Sequence, residues 1–82
     1  MAMDAQSIES LIRQALPDAE VEIRDLAGDG DHYSATIVSA AFRGKTRVQQ
    51  HQVVYRALGD RMREEIHALS MRTVTPEDWA TR

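Results

Sequence analysis

Apolar residues recur at Ile8, Leu11, Ile12, Ala15 and Leu16. The spacing i, i+3, i+4, i+7, i+8 predicts an amphipathic helix over residues 4–16, with one stripe turned to a core. Asp4 is placed to cap its start and Pro17 to stop it. Over residues 19–26 the period shortens: Val21 and Ile23 alternate with Glu20, Glu22 and Arg24, the pattern of a half-buried strand. Ala27-Gly28-Asp29-Gly30-Asp31 then supplies turn chemistry. Residues 33–39 alternate again, so the two strands are expected to pair as an antiparallel hairpin with a longish loop.

Ala40-Ala41-Phe42 can form one helical turn, ended by Gly44. Thr46 and Gln49 match a capping box, which should open the longest helix at about residues 47–58. Val48, His51, Val54, Tyr55, Leu58 and Met62 are expected to line one side of it, with Gly59 at its end. A third strand is expected over residues 67–74, where Leu69 and Met71 alternate with Ser70 and Arg72. Thr75-Pro76-Glu77-Asp78 is a second helix start: a threonine cap, proline in the first turn, and acids near the positive end of the dipole. Trp79 should anchor that short helix onto the core. The order is αββαβα. Three strands cannot cover themselves, so the expected fold is α+β, a three-stranded mixed sheet with helices packed on one face, as in KH domains of class II. The Gly-x-x-Gly clamp of KH domains is absent; only Gly44-Lys45 occupies the inter-helix turn.

Length narrows the functional range. Eighty-two residues make a single domain, 1–82. Such a chain buries only about 60% of its unfolded surface, so function is expected on a face, an edge or a loop. No nucleophile motif, phosphate-cradling loop or clustered metal motif is present, and the chain does not read as an enzyme. Its formal net charge of −3 is not the basic footprint of a nucleic-acid binder. Cysteine is absent, which excludes disulfides and thiolate ligands from this chain. No signal-peptide pattern opens the sequence, and no apolar run approaches the ~20 residues of a membrane span. A cytoplasmic domain, monomeric or weakly dimeric by itself, is expected.

A few side chains stand out as candidate chemistry. Asp29 and Asp31 are ordinary turn acids or a carboxylate pair. His67 starts on the same strand face as Leu69 and Met71, where a histidine is either hydrogen-bonded to backbone or a metal ligand. His32 flanks the hairpin loop, as a surface histidine or a ligand. His51 reads as a core-edge histidine tied by a hydrogen bond, and as a pH-sensitive group. Arg43, Lys45 and Arg47 cluster at the start of the long helix, either as a solvated turn or as a site for phosphate or an acidic protein surface.

Three patches together resemble the BolA-like family, most of all its YrbA-type branch. They are Gly28-Asp29-Gly30-Asp31-His32-Tyr33 with Ile37-Val38-Ser39; the run from Phe42 through Gly44-Lys45-Thr46 to His51 and Tyr55; and Ile66-His67-Ala68-Leu69-Ser70 closing with Thr75-Pro76-Glu77-Asp78-Trp79. The resemblance implies the class II KH-like fold. It also implies partnership with a monothiol (CGFS) glutaredoxin and a role in iron–sulfur cluster assembly or iron homeostasis. In such complexes a [2Fe–2S] cluster is bridged between partners. The glutaredoxin and its glutathione supply thiolates, and the BolA-like chain supplies the histidine that matches His67. Some members add a Cys or His from the hairpin loop. Asp29 stands at that position here, with His32 close by, so the second ligand is His32, a carboxylate, or no group from this chain. The family is also associated with stress responses, transcriptional regulation and DNA binding, for which Arg43, Lys45 and Arg47 are the candidates.

Overall fold

The computed structural model describes residues 5–25, 32–59 and 68–81. Helix α1 spans Ala5–Ala15, β1 Glu20–Asp25, β2 His32–Val38, a 3-10 turn Ala40–Phe42, α2 Arg47–Leu58, β3 Ala68–Val74 and α3 Pro76–Ala80. The expected order is therefore present. The candidate caps Asp4 and the loop 26–31 lie outside the described residues, as do Met62 and His67.

The sheet order is β1-β2-β3. β1 pairs with β2 antiparallel, with Glu20 opposite Val38 and Asp25 opposite Tyr33. β2 pairs with β3 parallel, from His32 opposite Ala68 to Val38 opposite Val74. A parallel pair needs a crossover, and the 3-10 turn with α2 is part of it. The register puts Val21, Ile23, Tyr33, Ala35, Ile37, Leu69 and Met71 on one face, because side chains alternate with period 2. α1 and α2 cover that face. Ile8, Ile12 and Leu16 meet Tyr33, Ala35, Ile37, Phe42, Val54 and Leu58 in one core.

Several start and stop signals act as their chemistry requires. Thr46 Oγ1 accepts from the Gln49 N–H at 3.2 Å, and Gln49 Oε1 accepts from the Thr46 N–H at 3.0 Å. The capping box thus satisfies two amide donors at the head of α2. Gly59 ends α2 with φ of 59°, and Gly44 turns the chain into α2 with φ of 74°. Both angles lie in the left-handed region that disfavours a Cβ.

Two expectations change. The buried stripe of α2 is not the expected one. Val54 and Leu58 are buried, but Val48 is 66% and Tyr55 43% exposed. Positions 54 and 58 are buried and 50, 51, 53 and 57 half-buried, a stripe that keeps His51 and adds a glutamine at its head. Gln50 faces inward because its amide has three partners. Nε2 donates to the carbonyls of Phe42 and Lys45, each at 3.1 Å, and Oε1 accepts from Thr73 Oγ1 at 2.6 Å. Trp79 also differs. It is half-buried and outside the core, bordering a shallow depression with Glu20, Glu22, Thr36 and Val38 on the opposite face of the sheet. Val74 already points to that face, and α3 starts two residues later, too soon for the chain to cross back.

The turn after α1 is tied to the turn after β2. Asp18 Oδ2 accepts from the Ala40 N–H at 2.8 Å, and its Oδ1 accepts from Ser39 Oγ at 2.9 Å. Ser39, 1% exposed, accepts in turn from the Ala41 N–H at 3.1 Å. The Ala40 backbone donor, then the Ser39 hydroxyl, holds the Asp18 carboxyl below its ordinary value. A depressed carboxylate contributes stability above its ordinary value, and that contribution is lost as pH falls through the folded value. Asp18→Asn removes the charge while its amide oxygen can still accept. The variant should have a lower urea midpoint than the parent at pH 7, with the gap closing below about pH 4. A gap that stays constant from neutral to acid would contradict this role of the charge.

Candidate functional site

β1 ends and β2 and β3 begin at one end of the sheet. Asp25 pairs with Tyr33, and His32 pairs with Ala68. Adjacent strands lie about 4.8 Å apart. His32 is the first residue of β2. His67 immediately precedes Ala68 in the chain, and Asp29 lies on the connection between Asp25 and His32. The topology therefore brings Asp25, His32 and Ala68, which are or adjoin in sequence the segments carrying the three candidates, to the same end of the sheet. Of the three, only the backbone of His32 falls within the described residues; Asp29 and His67 lie outside them. Among the described residues no three His, Asp or Glu side chains group as a metal site.

The basic cluster divides. Arg43 Nε donates to Glu77 Oε1 at 2.6 Å, and its Nη2 reaches the same oxygen. That hydrogen bond holds the Glu77 carboxyl below its ordinary value, and Glu77 raises the guanidinium of Arg43 in return. Arg43 thus fastens the 3-10 turn to α3. Lys45 and Arg47 flank Thr46 but border different depressions: Lys45 one with Gly44, Gln49 and Arg56, and Arg47 one with His51 and β3. His51 is half-buried as expected, but its ring makes no hydrogen bond among the described residues.

The Gln50 link and the Asp18–Ser39–Ala40 link escape sequence reading. Each joins residues 21 to 23 positions apart, or binds backbone, and no local pattern encodes that. The one available signal is a glutamine standing where helical spacing calls for an apolar residue.

Comparison with known proteins agrees with the geometry. Residues 12–78 match the family described as BolA-like protein. Acid stress protein IbaG of Escherichia coli (strain K12) is 35% identical over 79 residues, covering 95% of this chain and 90% of that protein. The DNA-binding transcriptional regulator BolA of Haemophilus influenzae is 40% identical over 52 residues, 63% of this chain and 50% of that protein. The solved structure of a BolA homologue from Coxiella burnetii superposes with a TM-score of 0.82 at 33% identity, covering 95% of this chain and 97% of that one. A shared order of elements, a family match over most of the chain and close superposition lead to one conclusion: the chain belongs to the BolA-like family.

Proposed function

We propose that this chain is a non-enzymatic, cytoplasmic adaptor that pairs with a monothiol glutaredoxin and helps to bind or pass on a [2Fe–2S] cluster. The observation that carries the proposal is the register of β2 and β3. It aligns His32 with Ala68, next in chain to His67, at the end where the Asp29 loop joins β1 to β2. The cluster is cargo shared with the partner. His67 is the ligand from this chain, and His32 or Asp29 the candidate for a second. The chain has no cysteine, so thiolates must come from the partner. An imidazole ligand protonates near neutrality and leaves its iron more readily than a thiolate, which suits transfer.

Anaerobic reconstitution of the cluster on the chain mixed with a CGFS glutaredoxin tests the proposal. Even the partners that orient metal ligands are worth about 10–100-fold in affinity, so loss of a ligand should cost at least that. His67→Ala should abolish the visible absorption and circular dichroism of the mixed complex, leaving those of the glutaredoxin alone. His32→Ala and Asp29→Ala then identify the second ligand. An unchanged spectrum with His67→Ala would refute the assignment.

A second reading, a nucleic-acid-binding regulator, is favoured by the name of the Haemophilus relative. It predicts binding that weakens steeply with salt and depends on Lys45 and Arg47. Arg43 would contribute little, because Glu77 already neutralises it. No binding to duplex or single-stranded DNA at low salt would exclude this reading.

A further inference from the structure

β3 is an edge strand. Among the described residues its only strand partner is β2. The carbonyl of Val74 accepts from the Ser39 N–H at 3.1 Å, on the β2 side. Backbone groups alternate in direction along a strand, so the N–H and C=O groups of Leu69, Met71 and Thr73 point outward. Their side chains lie on the core face, while those of Ser70 and Arg72 lie on the open face. Met71 is the midpoint of the outward series.

α2 overhangs this edge. α1 packs on β1 and on one flank of α2, and α2 packs on β3. Val53 meets the core on the α1 flank. Val48, His51 and Tyr55 share the other flank, at spacings of three and four residues. Gln50 is bonded to Thr73, and His51 borders a groove with Met71 and Thr73. Val48 and Tyr55 therefore lie to either side of the level of Met71, about 4.5 and 6 Å along α2 from His51. They are the large apolar side chains that stand exposed among the described residues.

We propose that the occupant of this edge is a second copy of the chain, paired antiparallel through β3 in a weak symmetric dimer whose two sheets join as one. A two-fold axis at Met71 sets Met71 opposite the partner's Met71 and Leu69 opposite the partner's Thr73. Each of these outward pairs exchanges two main-chain hydrogen bonds. The same axis reverses α2, so Val48 comes opposite the partner's Tyr55 and covers it. A symmetric contact requires matching surfaces about one point, and the edge amides and the exposed apolar pair are both centred near Met71. A foreign strand would use the amides alone. On the open face Arg72 comes opposite the partner's Ser70, with the two arginines diagonal at about 7–8 Å. Both arginines are exposed, so salt screens their repulsion. A charge on an edge strand opposes pairing, which keeps the dimer weak. The dimer does not rest on the cluster reading. Leu69 is two residues from His67, but the pairing uses its backbone and not the imidazole.

Sedimentation equilibrium of the full chain over a concentration series tests this. It should show a monomer–dimer equilibrium that strengthens with added salt. By NMR, the amides of Leu69, Met71 and Thr73 should gain protection from hydrogen exchange as concentration rises, while those of Arg72 and Val74 are already protected by β2. Tyr55→Ala, an exposed change, should weaken association by about tenfold or more, the scale of an aromatic side chain at an interface. Arg72→Ser should strengthen it. The chain has no cysteine, so single replacements report cleanly on proximity. Val48→Cys chains mixed with Tyr55→Cys chains should form the mixed disulfide in preference to either symmetric one. His67→Ala should dimerise as the parent does; loss of the dimer there would place the contact at the histidine end and overturn the proposal. It is also overturned if dimers form without new protection of the edge amides, if Tyr55→Ala or Arg72→Ser leaves association unchanged, or if the disulfides form in statistical proportion. A chain that stays monomeric at NMR concentrations would leave the edge to a foreign strand, and would overturn it too.

Discussion

Phe42→Ala is expected to lower the stability of the domain by about 3–5 kcal/mol, the range for removing a buried phenyl ring. Phe42 is 0% exposed and sits in the core with Ile8, Ile12, Ile37 and Val54. A domain of this size has roughly 4–12 kcal/mol of stability in all, so the variant should lie at or near the unfolding threshold at 25 °C. The position makes recovery by local collapse difficult. Phe42 belongs to a single 3-10 turn, and its carbonyl receives the Lys45 N–H at 3.2 Å and Gln50 Nε2 at 3.1 Å. Moving that turn to fill the cavity would break both bonds and disturb the entry to α2. Urea unfolding followed by circular dichroism measures the loss. A loss below about 1 kcal/mol would mean that the ring is not the core element described here.

Gln50→Glu should be the more informative change at a polar position. The glutamine donates to two carbonyls and accepts from one hydroxyl. A carboxylate in its place keeps the acceptor but presents negative charge to the carbonyl oxygens of Phe42 and Lys45. The expected cost is about 2–4 kcal/mol at pH 7, combining two lost donors with unfavourable electrostatics in a part-buried site. Protonation restores one donor, so folding raises the pKa of the new carboxyl. The sign follows: a raised group stabilises at low pH, and its contribution disappears as pH rises through the folded value. The variant should therefore gain on its parent as the solution is acidified, opposite in sense to the expected loss of the Asp18 contribution in the parent. Gln50→Ala, which brings no charge, should cost about 1–3 kcal/mol with no such recovery. If Gln50→Glu and Gln50→Ala were equally stable at every pH, the carbonyl contacts would not be the reason that Gln50 faces inward.

The Gln50 link bears on function through position. It holds the 3-10 turn, the head of α2 and β3 in one arrangement, and Arg43 with Glu77 adds α3 to it. Three of those elements, α2, β3 and α3, line a groove at the far end of β3. The histidine end is set independently, by the pairing of β2 with β1 and β3. Perturbing one end should leave the other intact.

Much was legible in the chain because it depends on near neighbours. The period of Ile8 to Leu16 specifies a helix, the alternation around Val21 and Ile37 specifies strands, and Thr46 with Gln49 specifies where α2 starts. Each signal spans a few residues, and a helix or strand needs only that range to choose its form. The absence of cysteine likewise restricts, without any structure, what the chain can give to a metal cluster. The three family patches marked His67 as the residue to test.

Contacts between distant segments needed the tertiary structure. Whether Arg43 is a free cation depends on Glu77, thirty-four positions away. Whether a glutamine faces the core depends on two carbonyls and a threonine hydroxyl that only the folded turn and β3 bring to it. Which side of α2 is buried, which face Trp79 adjoins, and which amides of β3 are left outward all follow from register and packing. A hydrogen bond or ion pair between remote residues leaves no periodic trace, because its partners are chosen by the fold rather than by spacing. The sequence by itself therefore determined the elements, their order and the residues able to ligate. The tertiary structure decided which polar groups neutralise one another and which stay available to a partner.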